Sequence, residues 1–125
     1  MKALTLIFTL MLISCQDITE KQQQEPVKDH TNGMILFLSY CAGCHGADGE
    51  GGAGPNLTDR YFLYGNHKDV IKTVIVNGII DKGMPEWGFA FDEGQLVDLV
   101  DYVKSLEGLN LQGKDPEGVL IQHKK

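Results

Sequence analysis

Residues 40–51, YCAGCHGADGEG, set Cys41, Cys44 and His45 within five positions and then run into glycines. Two thiols and an imidazole this close can hold zinc, cycle as a redox dithiol, or take a covalent haem. Structural zinc wants four ligands, usually two Cys-x-x-Cys pairs or one such pair with two histidines. Only three candidates stand here, no second pair follows, and the adjacent Cys44 and His45 cannot easily face one ion. A thioredoxin-type dithiol sits at a helix start after a strand in βαβ order. This chain shows no such order and puts its cysteines at a helix end. Cys-x-x-Cys-His is the signature of c-type haem attachment. Its spacing has a geometric cause. The two thiols add across the two vinyl groups on one porphyrin edge, and the next residue projects its imidazole over the ring toward iron. So short a motif also arises by chance, and the rest of the chain has to decide.

Three short helical segments are expected to position these groups. Gly33 to about Cys44 is apolar nearly all round (Met34, Ile35, Leu36, Phe37, Leu38), which predicts a buried helix with Met34 in the core. A second segment starts near Asn66 or His67 and repeats Val70, Ile71, Val74 and Ile75, with Asn66 as N-cap and an end at Asn77-Gly78. The third is clearest. Leu96, Leu99, Val100, Val103 and Leu106 form one stripe, with Asp98, Asp101 and Lys104 turned away. Asp92 and Gln95 imitate a capping box, and Gly108 closes the helix. The loops 46–57 and 78–91 are long for so small a domain, and loops of that kind are usually functional or disordered. No repeat is visible.

The chain has 125 residues, enough for one domain with a modest core. With 22% charged and 42% apolar residues it is an ordinary globular composition. A formal charge of −6 argues against nucleic acid, whose phosphates require a basic face. Three cysteines leave one thiol outside the motif. MKALTLIFTLMLIS, residues 1–14, has Lys2 and then a run from Ala3 to Ile13, too short to span a bilayer and of the length of a secretory signal. Leu12-Ile13-Ser14-Cys15 resembles the bacterial lipoprotein cleavage box, which implies lipidation of Cys15 and export to the periplasmic side of a bacterial membrane. Residues 15–32 read as a polar, flexible tether with a root-mean-square span of roughly 20–25 Å. The domain itself is expected over 33–111, with 112–125 as a polar tail.

The motif, GPNL at Gly54–Leu57 and GMPEWG at Gly83–Gly88 ahead of the last helix together resemble class I c-type cytochromes, over Gly33 to about Gly108. Gly33, Leu36, Phe37 and, in the last helix, Tyr102 match the family's helix-packing positions. GPNLTD, LYG and MPEWG look especially like the cytochrome domains of bacterial high-oxygen-affinity terminal oxidases. The resemblance implies an all-α fold of three or four short helices around one haem c, bonded through Cys41 and Cys44. It implies that His45 ligates iron, with its imidazole held by the Pro55 carbonyl. Met84 is the candidate sixth ligand, since a Gly-Met-Pro turn fixes the backbone on both sides of the thioether. His30, His67 and His123 are expected in solvent. Leu57, Tyr64 and Trp87 are expected at the haem, and Tyr61 and Arg60 are further candidates. The implied function is one-electron transfer, not catalysis, by a monomer tethered at the membrane. Its donors would be a quinol-oxidising complex or another cytochrome, and its acceptor a terminal oxidase or reductase. The alternatives are a permanently bound subunit of such a complex, or a haem enzyme or sensor in which Met84 is displaced.

Overall fold

The computed structural model describes residues 29–122. The segments expected as a signal (1–14) and, for the most part, as a tether (15–32) lie outside them, as do Cys15 and His123. The fold is all-α, with helices α1 (Thr31–Tyr40), α2 (Ala42–His45), α3 (Lys68–Asn77) and α4 (Glu93–Leu106) and a single-turn 3-10 helix at Ile80–Lys82. Two two-residue strands, β1 (Tyr61–Phe62) and β2 (Val119–Leu120), pair antiparallel with Tyr61 against Leu120 and Phe62 against Val119.

The frame is the crossing of α1 and α4. Gly33 makes it possible: a Cβ there would stand 2.1 Å from the Asp98 carbonyl oxygen, so only glycine lets the backbones touch. One turn on, the fully buried Phe37 packs on Tyr102 with ring centroids 5.3 Å apart. Leu96, Leu99, Val100 and Leu106 complete the core from α4, each side chain contributing about 1.5–3 kcal/mol on burial. The capping box forms as the sequence predicts. The Gln95 amide donates to the Asp92 carboxylate at 2.9 Å, and the Asp92 amide to the Gln95 side-chain oxygen at 3.0 Å.

Four local expectations are corrected. The first helix breaks at Cys41, whose carbonyl accepts from both Cys44 and His45 amides, so a new turn begins inside the motif. That helix is buried along one stripe only, Gly33 and Phe37. Met34, Ile35 and Leu38 are exposed, and Met34 is not core. His67, not Asn66, occupies the N-cap position of α3, because the Asn66 amide is committed to the Glu107 carboxylate at 3.0 Å. Asp101, expected in solvent, is 5% exposed where α3 crosses α4, with Lys68 Nζ 2.5 Å away.

Two regions without helix are nonetheless well tied. Asn56 accepts from the Thr58 amide and hydroxyl through one oxygen and donates to the Leu111 carbonyl. The Thr58 carbonyl accepts from the Gly108 and Asn110 amides, which fastens the end of α4 to the loop after His45. The segment beyond 111, expected as a polar tail, packs back on the domain through β2.

Candidate haem c site

A cavity of about 470 Å³ opens between α1–α2, α3, the loop before α4 and the C-terminal segment. That is within the range of cofactor sites, roughly 300–1,000 Å³. Its wall is mostly apolar and includes Phe37, Leu57, Ile71, Ile75 and Val103. Cys41, Cys44 and His45 all face it from the turn of α2. Met84, Pro55, Tyr61, Tyr64 and Trp87 reach the same wall from three other stretches of chain. Arg60 does not. It is exposed, and its guanidinium lies against Gly108 instead. His67 is exposed, as expected, whereas His30 is half-buried at the start of α1.

His45 is held from two sides. Its Nδ1–H donates to the Pro55 carbonyl at 3.0 Å, which leaves Nε2 with its lone pair for a metal. Gly54 passes directly over the ring: a Cβ there would come within 2.7 Å of Cε1 and 2.9 Å of Nδ1. The glycine and proline of GPNL therefore act together, one by leaving room and one by bonding. Burial lowers the basicity of His45 below its ordinary 6.5; the Pro55 bond works the other way, and the Lys114 charge adds to the lowering. A neutral imidazole is the ligating form.

The cysteines differ. Cys44 is exposed, while Cys41 is half-buried and its thiol is pushed up to about 11, first by burial and then by the neighbouring Cys44. Neither forms a disulfide. Among the described residues no group of three or more His, Cys, Asp or Glu side chains could hold a metal ion.

Met84 is placed by backbone. Its carbonyl accepts from the Ile79 amide at 2.8 Å and its own amide donates to the Ile79 carbonyl at 3.2 Å. The 3-10 turn and Gly83, at φ 81°, close the small loop between them. That loop is fixed to the end of α3 by bonds from the Trp87 amide to Ile75 and from the Gly88 amide to Val76, at 3.0 and 3.1 Å. Gly78, with φ 64°, permits the closest approach, since a Cβ there would lie 2.5 Å from the Pro85 carbonyl carbon. Trp87 belongs to an aromatic cluster with Tyr40 and Phe91, at centroid distances of 5.6 Å (Tyr40–Trp87), 5.2 Å (Tyr40–Phe91) and 6.0 Å (Trp87–Phe91).

Sequence reasoning missed the bridge at Ile79 and the pair Lys114 and Glu117, which line the cavity from the supposed tail. A single sequence carries no local signal for either, because both depend on where distant backbone returns.

An apolar cavity, two thiols on its rim and a neutral imidazole with a free Nε2 fit one haem c, bonded through Cys41 and Cys44. Fold and site together define a c-type cytochrome domain. The chain belongs to the family described as cytochrome c oxidase, cbb3-type, subunit III, which matches residues 28–103. It is 39% identical over 77 residues to the cbb3-type cytochrome c oxidase subunit CcoP of Rubrivivax gelatinosus, covering 61% of this chain and 25% of that subunit. The CcoP subunit of Rhodobacter capsulatus is 40% identical over 91 residues, covering 62% and 29%. Among solved structures, cytochrome cL of Methylophaga aminisulfidivorans aligns with a TM-score of 0.56 and 27% identity over 61% of this chain and 51% of that one. The chain thus spans about a quarter of the length of the oxidase subunits it matches.

Proposed function

We propose that this protein is an electron-transfer cytochrome working as a bound, subunit-like module of a respiratory terminal oxidase or reductase complex. The observation that carries the reading is one cavity lined by both thiols, by His45 with its Nε2 free, and by Met84. Haem c supplies a one-electron ferric/ferrous couple there. Cys41 and Cys44 would hold it by thioether bonds, and His45 and Met84 would be the residues that ligate its iron. With His45 and Met84 both ligating, no position would be left for oxygen, peroxide or substrate. The sulfur ligand and the apolar wall both favour the ferrous form and raise the potential. Pro55 keeps the imidazole in the tautomer that ligates, and Leu57, Tyr64 and Trp87 exclude water. Cys44, exposed on the rim, marks the edge where electrons cross to a partner.

The likeness to CcoP subunits supports a fixed place in a complex over free exchange between partners. Electrons would arrive from a quinol-oxidising complex or another cytochrome. A lipid at Cys15 and the tether over 15–32 would keep the domain, as a single copy, at the periplasmic face of the membrane. Mild detergent extraction of native membranes tests this. The haem-stained chain is expected to comigrate with a large oxidase or reductase complex. Recovery as a free monomer, with turnover of the complex unchanged by its removal, would overturn the subunit reading in favour of a tethered carrier.

A further inference from the structure

The family match ends at residue 103, but the cavity wall does not. Residues 109–122 return as a strap across the loop that follows His45. Gly113 passes so near Glu50 that a Cβ on it would stand 2.0 Å from the Glu50 carbonyl oxygen, and a Cβ on Gly51 would stand 2.7 Å from Lys114 Cβ. The Lys114 amide donates to the Glu50 carbonyl at 2.9 Å, and the Leu111 amide to the Thr58 hydroxyl at 3.0 Å. Farther along, β2 pairs with β1, and the Ile121 amide donates to the Arg60 carbonyl at 2.9 Å. The strap is therefore bonded at both ends.

Between those ends it carries an ion pair into the cavity wall. Lys114 Nζ lies 2.6 Å from Glu117 Oε1, and both side chains line the cavity while only about a third exposed, 34% and 37%. Lys114 Nζ also donates to the Ala53 carbonyl at 3.2 Å. Ala53 immediately precedes Gly54, whose backbone covers the His45 ring. The ammonium is thus fixed on the His45 side of the site.

We propose that Lys114 and Glu117 bias the haem potential in opposite senses, Lys114 favouring the reduced form and Glu117 opposing it. This rests on the haem reading of the cavity and not on which oxidase or reductase is the partner. Ferric haem carries one more positive charge than ferrous haem. The Lys114 ammonium repels that added charge and the Glu117 carboxylate attracts it, and a half-buried apolar site screens neither as water would. In the native protein the two effects partly cancel, so removing one charge unmasks the other. One electron exchanged with a soluble redox mediator balances the change, and no covalent bond is made or broken. Lys82, Lys104 and Glu107 also line the cavity; Lys104 and Glu107 pair with each other at the end of α4 and stay intact in the test.

The test is an equilibrium redox titration of the full-length holoprotein against mediators. At a fixed mediator potential, Lys114→Gln is expected to lower the ferrous-to-ferric ratio several-fold and Glu117→Gln to raise it several-fold. The double variant should lie close to the native protein. Lys72→Gln, whose partner Glu93 is outside the cavity wall, should leave the ratio unchanged. Loosening of the strap would move both single variants in the same direction. Shifts of the same sign, or a shift in only one variant or in neither, overturn the proposal. Covalent haem, measured in the same samples, separates this outcome from failure of the haem reading: a native chain without it would end both.

Discussion

The two halves of the cavity are built by different means. On one side His45 is gripped as a side chain: its ring bonds Pro55, lies under Gly54, and follows within one turn the two cysteines that would anchor the haem. On the other side Met84 is held through its backbone, by the paired bonds to Ile79 and by the fastening of the loop to α3. The first arrangement fixes a tautomer and a ring plane, as a histidine ligand needs. The second fixes only where a flexible thioether starts, and a soft, adaptable side chain needs little more. On the proposed function, attachment and orientation belong to the His45 half, and the choice of sixth ligand to the Met84 half.

The largest test of this division removes the anchor. With Cys41→Ser and Cys44→Ser combined, covalent haem should vanish entirely, read as loss of haem stain on a denaturing gel. Stain surviving at native intensity would place the attachment elsewhere.

Next come the two close-approach glycines. Gly54→Ala drives a methyl into the imidazole and should perturb both ligation and stability, with overpacking costs of about 1–3 kcal/mol. Gly78→Ala forces an alanine to φ 64° against Pro85 and should loosen the Met84 loop while haem and His45 stay in place. Resonance Raman or magnetic circular dichroism of the two holoproteins distinguishes the cases. Equal loss of histidine ligation in both would dissolve the comparison.

A smaller effect concerns pH. Burial holds the His45 basicity below 6.5, so its neutral form persists as pH falls through that value and is lost only in more acidic solution. In the haem-free chain the His45 ring resonances, followed by NMR, should therefore titrate below pH 6.5. A transition centred near 6.5 would mean that His45 behaves as a solvated side chain. Smallest of all, breaking the exposed Lys72–Glu93 pair, remote from both halves, should change the unfolding free energy from denaturant titration by no more than about 1 kcal/mol.

The sequence exposes the His45 half far better than the Met84 half. Cys-x-x-Cys-His and GPNL are short and local, so residue type and spacing already describe the chemistry. The capping box and apolar stripe of α4 are legible for the same reason, since both obey one helical period. The bond from Ile79 to Met84 and the strap bearing Lys114 are not legible, because they are backbone contacts between segments that no period relates. Met34 and Asp101 mislead in opposite ways. An apolar run says nothing about how many neighbours arrive to cover it, and a charge on an apparently outer face can be buried by a helix crossing above it.

On the proposed function, Met84 completes the iron coordination that His45 begins, which would make the site a carrier of electrons. The most direct measurement is the sulfur-to-iron charge-transfer band of the ferric holoprotein, recorded for the native chain and for Met84→Ala. The native protein should show the band, unchanged by added peroxide, with carbon monoxide failing to bind its reduced form. Met84→Ala should keep its covalent haem, lose the band, fall in potential within the roughly 0.8 V range that axial ligands span, and bind carbon monoxide. High-spin iron in the native protein at neutral pH, or a band that survives in Met84→Ala, would show that Met84 is not the sixth ligand.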